Sequence, residues 1–453
     1  MKPLQPIAEH HESQATEPVV VVLPSTPLPV ASESEPSPRD FRTPPVPPPP
    51  PHLDDYKSII GQANLDSLRF LARDLKGKTI KMVNSTAVGG GVAEMLNRLV
   101  PLLTELEVPT HWEVITGGND FFEVTKAFHN ALQGSDYQLT KHAQDIFLMY
   151  NEQNMKRMEF GEDLIVIHDP QPAALVRARK KTSSHWVWRC HIDLSHPNPQ
   201  VWDFLRTYIE QYDAAIFSSQ SFTRQLPILQ YLFYPCIDPL SEKNKELDYT
   251  TIQAVCDEFG IDRSRPIVTQ VSRFDRAKDP VGVIQAYKLA KKYVDCQLVM
   301  AGGGASDDPE GAAVLQEVKA EAGEDPDIFI LDLPPWCALE INALQSASTL
   351  IVQKSIKEGF GLTVTEALWK GKPTIASAVG GIPNQIIHKL TGLLVHSVEG
   401  CSYQIRYLLT HSEFAQRLGE NGREHVKENF LMTTNLKRWL LLFRILNGGL
   451  NPT

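Results

Sequence analysis

Much that a 453-residue chain could carry is missing here. Cysteine is sparse: Cys190, Cys236, Cys256, Cys296, Cys337 and Cys401 are scattered, with no C-x-x-C pair. That excludes a zinc pattern and points to reduced, packing thiols of a cytoplasmic protein. No apolar run approaches the roughly 20 residues of a membrane span. Val19 to Leu23 is too short for a signal core and is flanked by prolines and acids. No basic cluster with interleaved aromatics occurs, and the net charge is −10, so nucleic acid is not an expected partner, nor is a membrane. A G-x-G-x-x-G followed by an acid about 20 residues on is lacking, which argues against a Rossmann oxidoreductase; so is the Lys-Ser/Thr ending of a P-loop.

What is present begins with proline. Residues 1 to 52 hold 15 of the 33 prolines, ending in Pro47 to Pro51. Such a segment cannot bury enough apolar surface to offset its ordering entropy, so it is expected to be a disordered tail with polyproline II character. Helical patterning starts at Leu53. Thr79 to Val83 then reads as a strand and Asn84 to Gly91 as a Gly-rich loop. A 3.6-period helix follows through Val92, Met95, Leu96, Leu99, Leu103 and Leu106, with Pro101 as a kink. That is the opening of a Rossmann-like half. Further strands are expected at Trp112–Thr116, Leu164–Ile167, Trp186–Cys190 and Ala214–Ser218, and Tyr234 to Pro239 reads as the exit from a first domain. Alternation resumes with strands at Ile267–Val271, Gln297–Met300, Ile328–Leu331, Leu350–Val352, Thr374–Ser377 and Leu393–Val395. Strands alternating with helices of this length imply a parallel sheet covered on both faces. The expected division is a tail at 1–52, a first domain at 53–238, a second at 239–430, and an apolar C-terminal helix at 431–453 that needs cover from the first domain.

Chemistry concentrates at strand ends, where ligands of open parallel sheets bind. After Thr349–Val352 come Glu358-Gly359-Phe360-Gly361-Leu362-Thr363 and then Glu366. Glycine lets backbone approach a ligand, and a following helix start offers free N–H groups to a diphosphate. Glu366, about two turns further on, could grip a pair of sugar hydroxyls. Arg273 and Lys278 follow the Ile267–Val271 strand, a planar fork and a point charge suited to phosphate. In the first half, His168 and His191 each end a strand with an aspartate close by, Asp169 and Asp193; Gln171 lies near the first. His129 and Asn130, near Lys126, form a third polar cluster. The run Gly89 to Gly91 could let a donor phosphate or an acceptor sugar lie against bare backbone, or be a tight turn only. Ala301 to Gly304 and Val379 to Pro383 are further glycine-rich strand ends, the first set near a nucleotide base or a turn, the second without an assigned role.

The pair of glutamates in E-G-F-G-L-T-V-T-E-A resembles the donor signature of family-4 retaining, nucleotide-sugar-dependent glycosyltransferases. His168-Asp169-Pro170-Gln171-Pro172-Ala173-Ala174-Leu175, Trp188 to Ser195, Phe128 to Gly134 and Ile237 to Asn244 resemble, within them, the family of trehalose glycosyltransferring synthases and retaining trehalose phosphorylases. The likeness runs from about Asp54 to the C-terminus. It implies an α/β fold of the GT-B type, two Rossmann-like domains with parallel sheets facing across a cleft. It implies glucosyl transfer from ADP-, UDP- or GDP-glucose to glucose, reversible, with trehalose as product; phosphate in place of the nucleoside diphosphate is the alternative. A silent scaffold with a proline-rich docking tail is a reading from another class, and it predicts an eroded donor site, which Arg273, Lys278, Glu358 and Glu366 contradict. By resemblance, Arg273 and Lys278 hold the diphosphate and Glu366 the ribose. Glu358 and the Gly359–Thr363 backbone hold the donor glucose, and His191 touches the transferring sugar. Gly90 serves donor and acceptor, and His129, Asn130, His168, Asp169, Gln171, His191 and Asp193 serve the acceptor. His191, Glu358, Arg273 and Lys278 are the catalytic set. No prosthetic group is implied; the two cations balance the diphosphate and no Asp-x-Asp site is placed to chelate it, so no metal is required. A homodimer is left open.

Overall fold

In a computed structural model, residues 20–22, 49–87, 91–181, 184–303 and 309–448 are described. The strands, in chain order, are β1 (Val20–Val22), β2 (Ile80–Asn84), β3 (Thr110–Val114), β4 (Leu164–His168), β5 (His185–Arg189), β6 (Ala214–Phe217) and β7 (Leu229–Leu232). The second series is β8 (Ile267–Val271), β9 (Gln297–Gly302), β10 (Ile328–Asp332), β11 (Leu350–Gln353), β12 (Thr374–Ser377) and β13 (Leu393–Val395). They form two sheets, ordered β3-β2-β4-β5-β6-β7 and β1-β10-β9-β8-β11-β12-β13. Every pairing is parallel. The cause is legible in the strands themselves: β2, β4 and β8 are buried along their whole length, because crossover helices cover both faces.

In each sheet the strand order reverses once, between β2 and β4 in the first and between β8 and β11 in the second. At such a reversal the loops after two neighbouring strands part in opposite directions and leave a crevice at the carboxyl ends. The helices between strands start from side-chain caps. Asn198 caps Pro199–Ile209, Asp248 caps Tyr249–Glu258 and Asp279 caps Pro280–Lys291, each carboxylate or amide oxygen accepting a first-turn N–H.

The chain passes from one domain to the other at Ile237 and returns at Leu431, and the two passages are bonded to each other. Ile237 N donates to Phe430 O at 2.9 Å and Met432 N to Ile237 O at 2.9 Å. The C-terminal helix, Met432–Leu446, then packs Leu436, Trp439, Leu440 and Phe443 among Leu65, Leu68, Leu96 and Leu99 of the first domain.

Two elements differ from expectation. Val20–Val22, inside the segment expected to be disordered, adds an edge strand beside β10; three β-branched residues suit a free sheet edge. The other residues of the tail as far as 48 lie outside the described residues. β7 was not anticipated, because its side chains are mostly exposed and show no buried alternation. The helix Gly91–Glu105 runs with Pro101 inside it, as expected.

Candidate functional site

The end of β8 and the end of β11 converge. Ile356 N donates to Ala277 O at 2.8 Å, and Lys354 Nζ forms an ion pair with Asp279, so the two loops are pinned together. Between them Lys278 Nζ lies 2.7 Å from Glu358 Oε2, both largely buried, and Ser355 Oγ donates to the same oxygen at 3.3 Å. The residues placed separately on diphosphate and on sugar are thus paired with each other. Arg273 is exposed and bonds Asp275 Oδ2 at 3.0 Å.

Gly361 opens the helix Leu362–Trp369 at φ +86°, a left-handed conformation that costs glycine nothing, and no side chain caps that helix start. Glu366 is its fifth residue, one turn in and not two, and is buried. The Val379 to Pro383 stretch, to which no role was given, lies directly beneath this loop. A Cβ on Gly380 would sit 1.6 Å from the Glu358 carbonyl oxygen, and Gly381 N donates to Gly359 O at 3.1 Å. Glycine there lets two backbones touch, which fixes the height of Glu358.

These groups face one cavity of about 540 Å³ between the domains. Arg273, Lys278, Glu358, Gly361, Leu362, Thr363 and Glu366 line it, with Gly302, Gly303, Leu333 and Pro334 at one end and Gly91 and Glu94 of the first domain opposite. Gly359 and Phe360 belong to the same loop but do not line it; the Phe360 ring stacks on Tyr234 instead. Gly90 and Gly304 lie outside the described residues; a Cβ on Gly91, next to Gly90, would meet the Leu362 side chain at 3.4 Å.

Of the first-domain candidates, His168, Asp169, Gln171, His191 and Asp193 gather at the ends of β4 and β5, while His129 and Asn130 lie on the helix Asn119–Leu132; none of them lines that cavity. His168 is fully buried; its Nδ1 is 3.0 Å from His191 Nε2 and the two rings stack at 5.3 Å. His168 stands behind His191 and has no exposed surface of its own. Burial, with Arg189 close by, pushes His168 down to about 3 and His191 well below the usual imidazole range, so both rings are neutral. Asp169, at φ +66°, accepts His191 N at 2.8 Å on Oδ1 and is pushed up to about 6 by burial. It therefore holds the turn that carries His191. Asp193 accepts Ser195 N at 2.7 Å, closing its own turn. Gln171 Oε1 is buried without a partner. His129 is half-buried beside Lys357 of the second domain, whose Nζ donates to Gln133 O; Asn130 is exposed.

Two residues were missed. Arg224, beside Asp193, buries Nε and Nη2 without partners. Lys243 lies between Glu94 and Glu366. Lys243 stands inside the Ile237–Asn244 stretch, and its place just past a domain crossing was the available signal; nothing local marks Arg224. Among the described residues no cluster of three His, Cys, Asp or Glu could hold a metal, and no helix is long and apolar enough to cross a membrane. All six cysteines are free and buried.

The chain matches "Trehalose synthase, N-terminal domain" over residues 82–224 and "Glycosyl transferases group 1" over residues 253–425. It is 45% identical to the trehalose synthase of Pyrococcus horikoshii over 404 residues, covering 87% of this chain and 97% of that one. Against the trehalose synthase of Rubrobacter xylanophilus it is 44% identical over 407 residues, with the same coverage. The trehalose phosphorylase of Pleurotus pulmonarius is 30% identical over 88% of this chain and 61% of its own length. Among solved structures, sucrose-phosphate synthase from Thermosynechococcus elongatus superposes with a TM-score of 0.64 at 19% identity, covering 82% of this chain and 100% of that one. The UDP-forming trehalose-phosphate synthase of Burkholderia xenovorans, in complex with glucose-6-phosphate, gives 0.64 at 14%, covering 82% and 100%. The structural likenesses establish the fold, and the sequence matches run through both domains and the cleft between them: the chain belongs to the trehalose synthase family of GT-B glycosyltransferases.

Proposed function

We propose that this protein transfers glucose, with retention, from a nucleoside diphosphate onto glucose to make trehalose, and runs the reaction in reverse. The observation that carries the reading is one interdomain cavity holding a lysine–glutamate pair, an arginine, an uncapped helix start and a second buried glutamate. Diphosphate sits against Lys278, Arg273 and the N–H groups from Gly361 to Thr363. Ribose sits on Glu366, and the base lies toward Gly302, Gly303 and Pro334. Glu358, held by Lys278, contacts the transferring glucose.

In the reaction the bond from the anomeric carbon to the phosphate oxygen breaks. The acceptor hydroxyl oxygen bonds that carbon on the same face, and its proton passes to the departing diphosphate. The charge that develops on the diphosphate is what Lys278 and Arg273 stabilise, so the protein supplies no nucleophile. Neutral His191 faces the sugar from the first domain, and Gln171, Asp193 and Arg224 are the polar groups left for the acceptor. Closing the cleft keeps out water that would hydrolyse the donor.

The likeness to trehalose phosphorylase supports a second reading, with inorganic phosphate in the place of the nucleoside diphosphate. Incubating the protein with trehalose and, separately, ADP, UDP, GDP and phosphate separates the two. A nucleotide glucose plus glucose is the expected product; glucose 1-phosphate formed only with inorganic phosphate would overturn it.

A further inference from the structure

The segment that joins the domains presents one lysine to both of them. The Lys243 ammonium lies 3.4 Å from Glu94 Oε1, in the first turn of the helix Gly91–Glu105, and 4.0 Å from Glu366 Oε1 on the second domain. Its backbone is held from behind. Asn342 Nδ2 donates to the carbonyls of Glu242 and Lys245 at 2.9 and 2.8 Å, and Lys370 Nζ donates to the Lys243 carbonyl at 2.9 Å. Lys243 lines the cleft cavity together with Glu94 and Glu366.

Glu366 needs such a neighbour. A carboxylate accepts two ribose hydroxyls only while ionised; protonated, it gives up part of its acceptor capacity and becomes a donor. Burial pushes Glu366 up, Lys243 and Lys370 pull it down, and Glu94 pushes it up again; these are the charged groups that face it. Lys370 is turned toward the Lys243 carbonyl, Asn244 Oδ1 and the Glu366 carbonyl, and burial lowers it to about 8. For Lys243 burial also opposes the charge, but Glu366 and Glu94 outweigh it and hold the ammonium above the usual lysine value. Lys243 is the cation whose ammonium reaches the Glu366 carboxylate.

We propose that Lys243 is a positioning residue for the nucleotide: it holds Glu366 ready for the ribose and, through Glu94, ties the filled donor site to the first domain. The inference rests on the reading of Glu366 as the ribose ligand. The sign of its pH consequence follows from the charges. Without Lys243 the carboxyl of Glu366 is raised further, so binding survives above that higher value and is lost as pH falls through it.

The test is calorimetric titration of ADP, UDP and GDP into the full chain and three variants, from about pH 6 to about pH 9, with transfer rates measured alongside. Lys243→Met is expected to weaken binding by about tenfold at neutral pH, and the gap to wild type is expected to narrow as pH rises. Lys243→Arg keeps the charge and is expected to bind within about threefold of wild type. Glu94→Gln is expected to leave affinity within about threefold while slowing transfer by about tenfold, since it cuts the tie to the first domain and leaves Lys243 beside Glu366. Wild-type affinity in Lys243→Met, a gap to wild type that does not narrow as pH rises, or Lys243→Arg no better than Lys243→Met, overturns the positioning role. Unchanged transfer in Glu94→Gln overturns the tie. A wild-type chain that binds no nucleoside diphosphate overturns the donor reading itself, and this inference with it.

Discussion

At the ends of β8 and β11 opposite charges are paired; at the ends of β4 and β5 two histidines are kept neutral. Lys278 and Glu358 neutralise each other at 2.7 Å on the wall of a cavity, and Lys243 stands between two carboxylates. His168 and His191, by contrast, are pushed far down by burial, and Asp169 is pushed up to about 6. The two halves of the cleft use the same strand-end architecture for opposite electrostatics. A half that meets a diphosphate needs permanent cations that cost no reorganisation when negative charge develops. A half that meets sugar hydroxyls needs neutral donors and acceptors of fixed direction, and burial supplies both the neutrality and the rigidity.

The largest effect expected from breaking this contrast comes from the charged half. Lys278→Ala removes a cation from the proposed diphosphate position and leaves Glu358 buried without its ion-pair partner. Transfer should fall by about a thousandfold, measured as kcat/KM for the nucleotide sugar. Near-normal turnover would take Lys278 off the reaction path. Glu366→Gln keeps shape and removes charge at a site remote from the breaking bond. The expectation is a nucleotide KM raised about tenfold with a smaller loss in kcat. A change in acceptor KM alone would move Glu366 to the other ligand.

The neutral half is sharpened by pH. His168 folds with a value of about 3 against an ordinary 6.5, so the unfolded chain takes up the proton first. Its contribution to stability is full above 6.5 and is lost as pH falls from there toward 3, at up to about 1.4 kcal/mol per pH unit. His191 acts in the same direction. Asp169, raised from 3.8 to about 6, acts in the opposite sense within that window and offsets part of the loss. The melting temperature of wild type should therefore fall from about pH 6.5 to about pH 5, and His168→Phe should flatten that fall. An unchanged slope would mean that His168 is not held neutral. The smallest effect belongs to the tail. Deleting residues 1–48 removes β1, a three-residue edge strand, and should shift the melting temperature by no more than about 3 °C, with turnover unchanged.

Legibility in the sequence follows the same contrast. The donor half could be read because its groups stand on two short loops next to their strands. Glu358 and Glu366 are fixed by a loop and one helical turn, and Arg273 and Lys278 by one strand end. Eleven of the strands were placed to within a few residues, since strands of a doubly covered sheet are apolar runs between polar loops. The first-domain half was harder, because what matters there is contact across the sheet. That His168 lies behind His191, 23 residues on, depends on the β4–β5 pairing, and a residue list cannot say which histidine faces the cleft. Gly380 escaped assignment because its neighbour, Glu358, is 22 positions away and meets it only as backbone. Lys243 depends on a carboxylate from each domain, so its partners appear only once both domains are in place.

The division of labour between the halves is tested most directly by His191→Ala, through calorimetric nucleoside diphosphate binding, a melting curve and a transfer assay on the same preparation. The account predicts an intact fold, nucleotide affinity within about threefold of wild type, and transfer lowered by about a hundredfold. Abolished nucleotide binding, or full transfer activity in a folded variant, would contradict it.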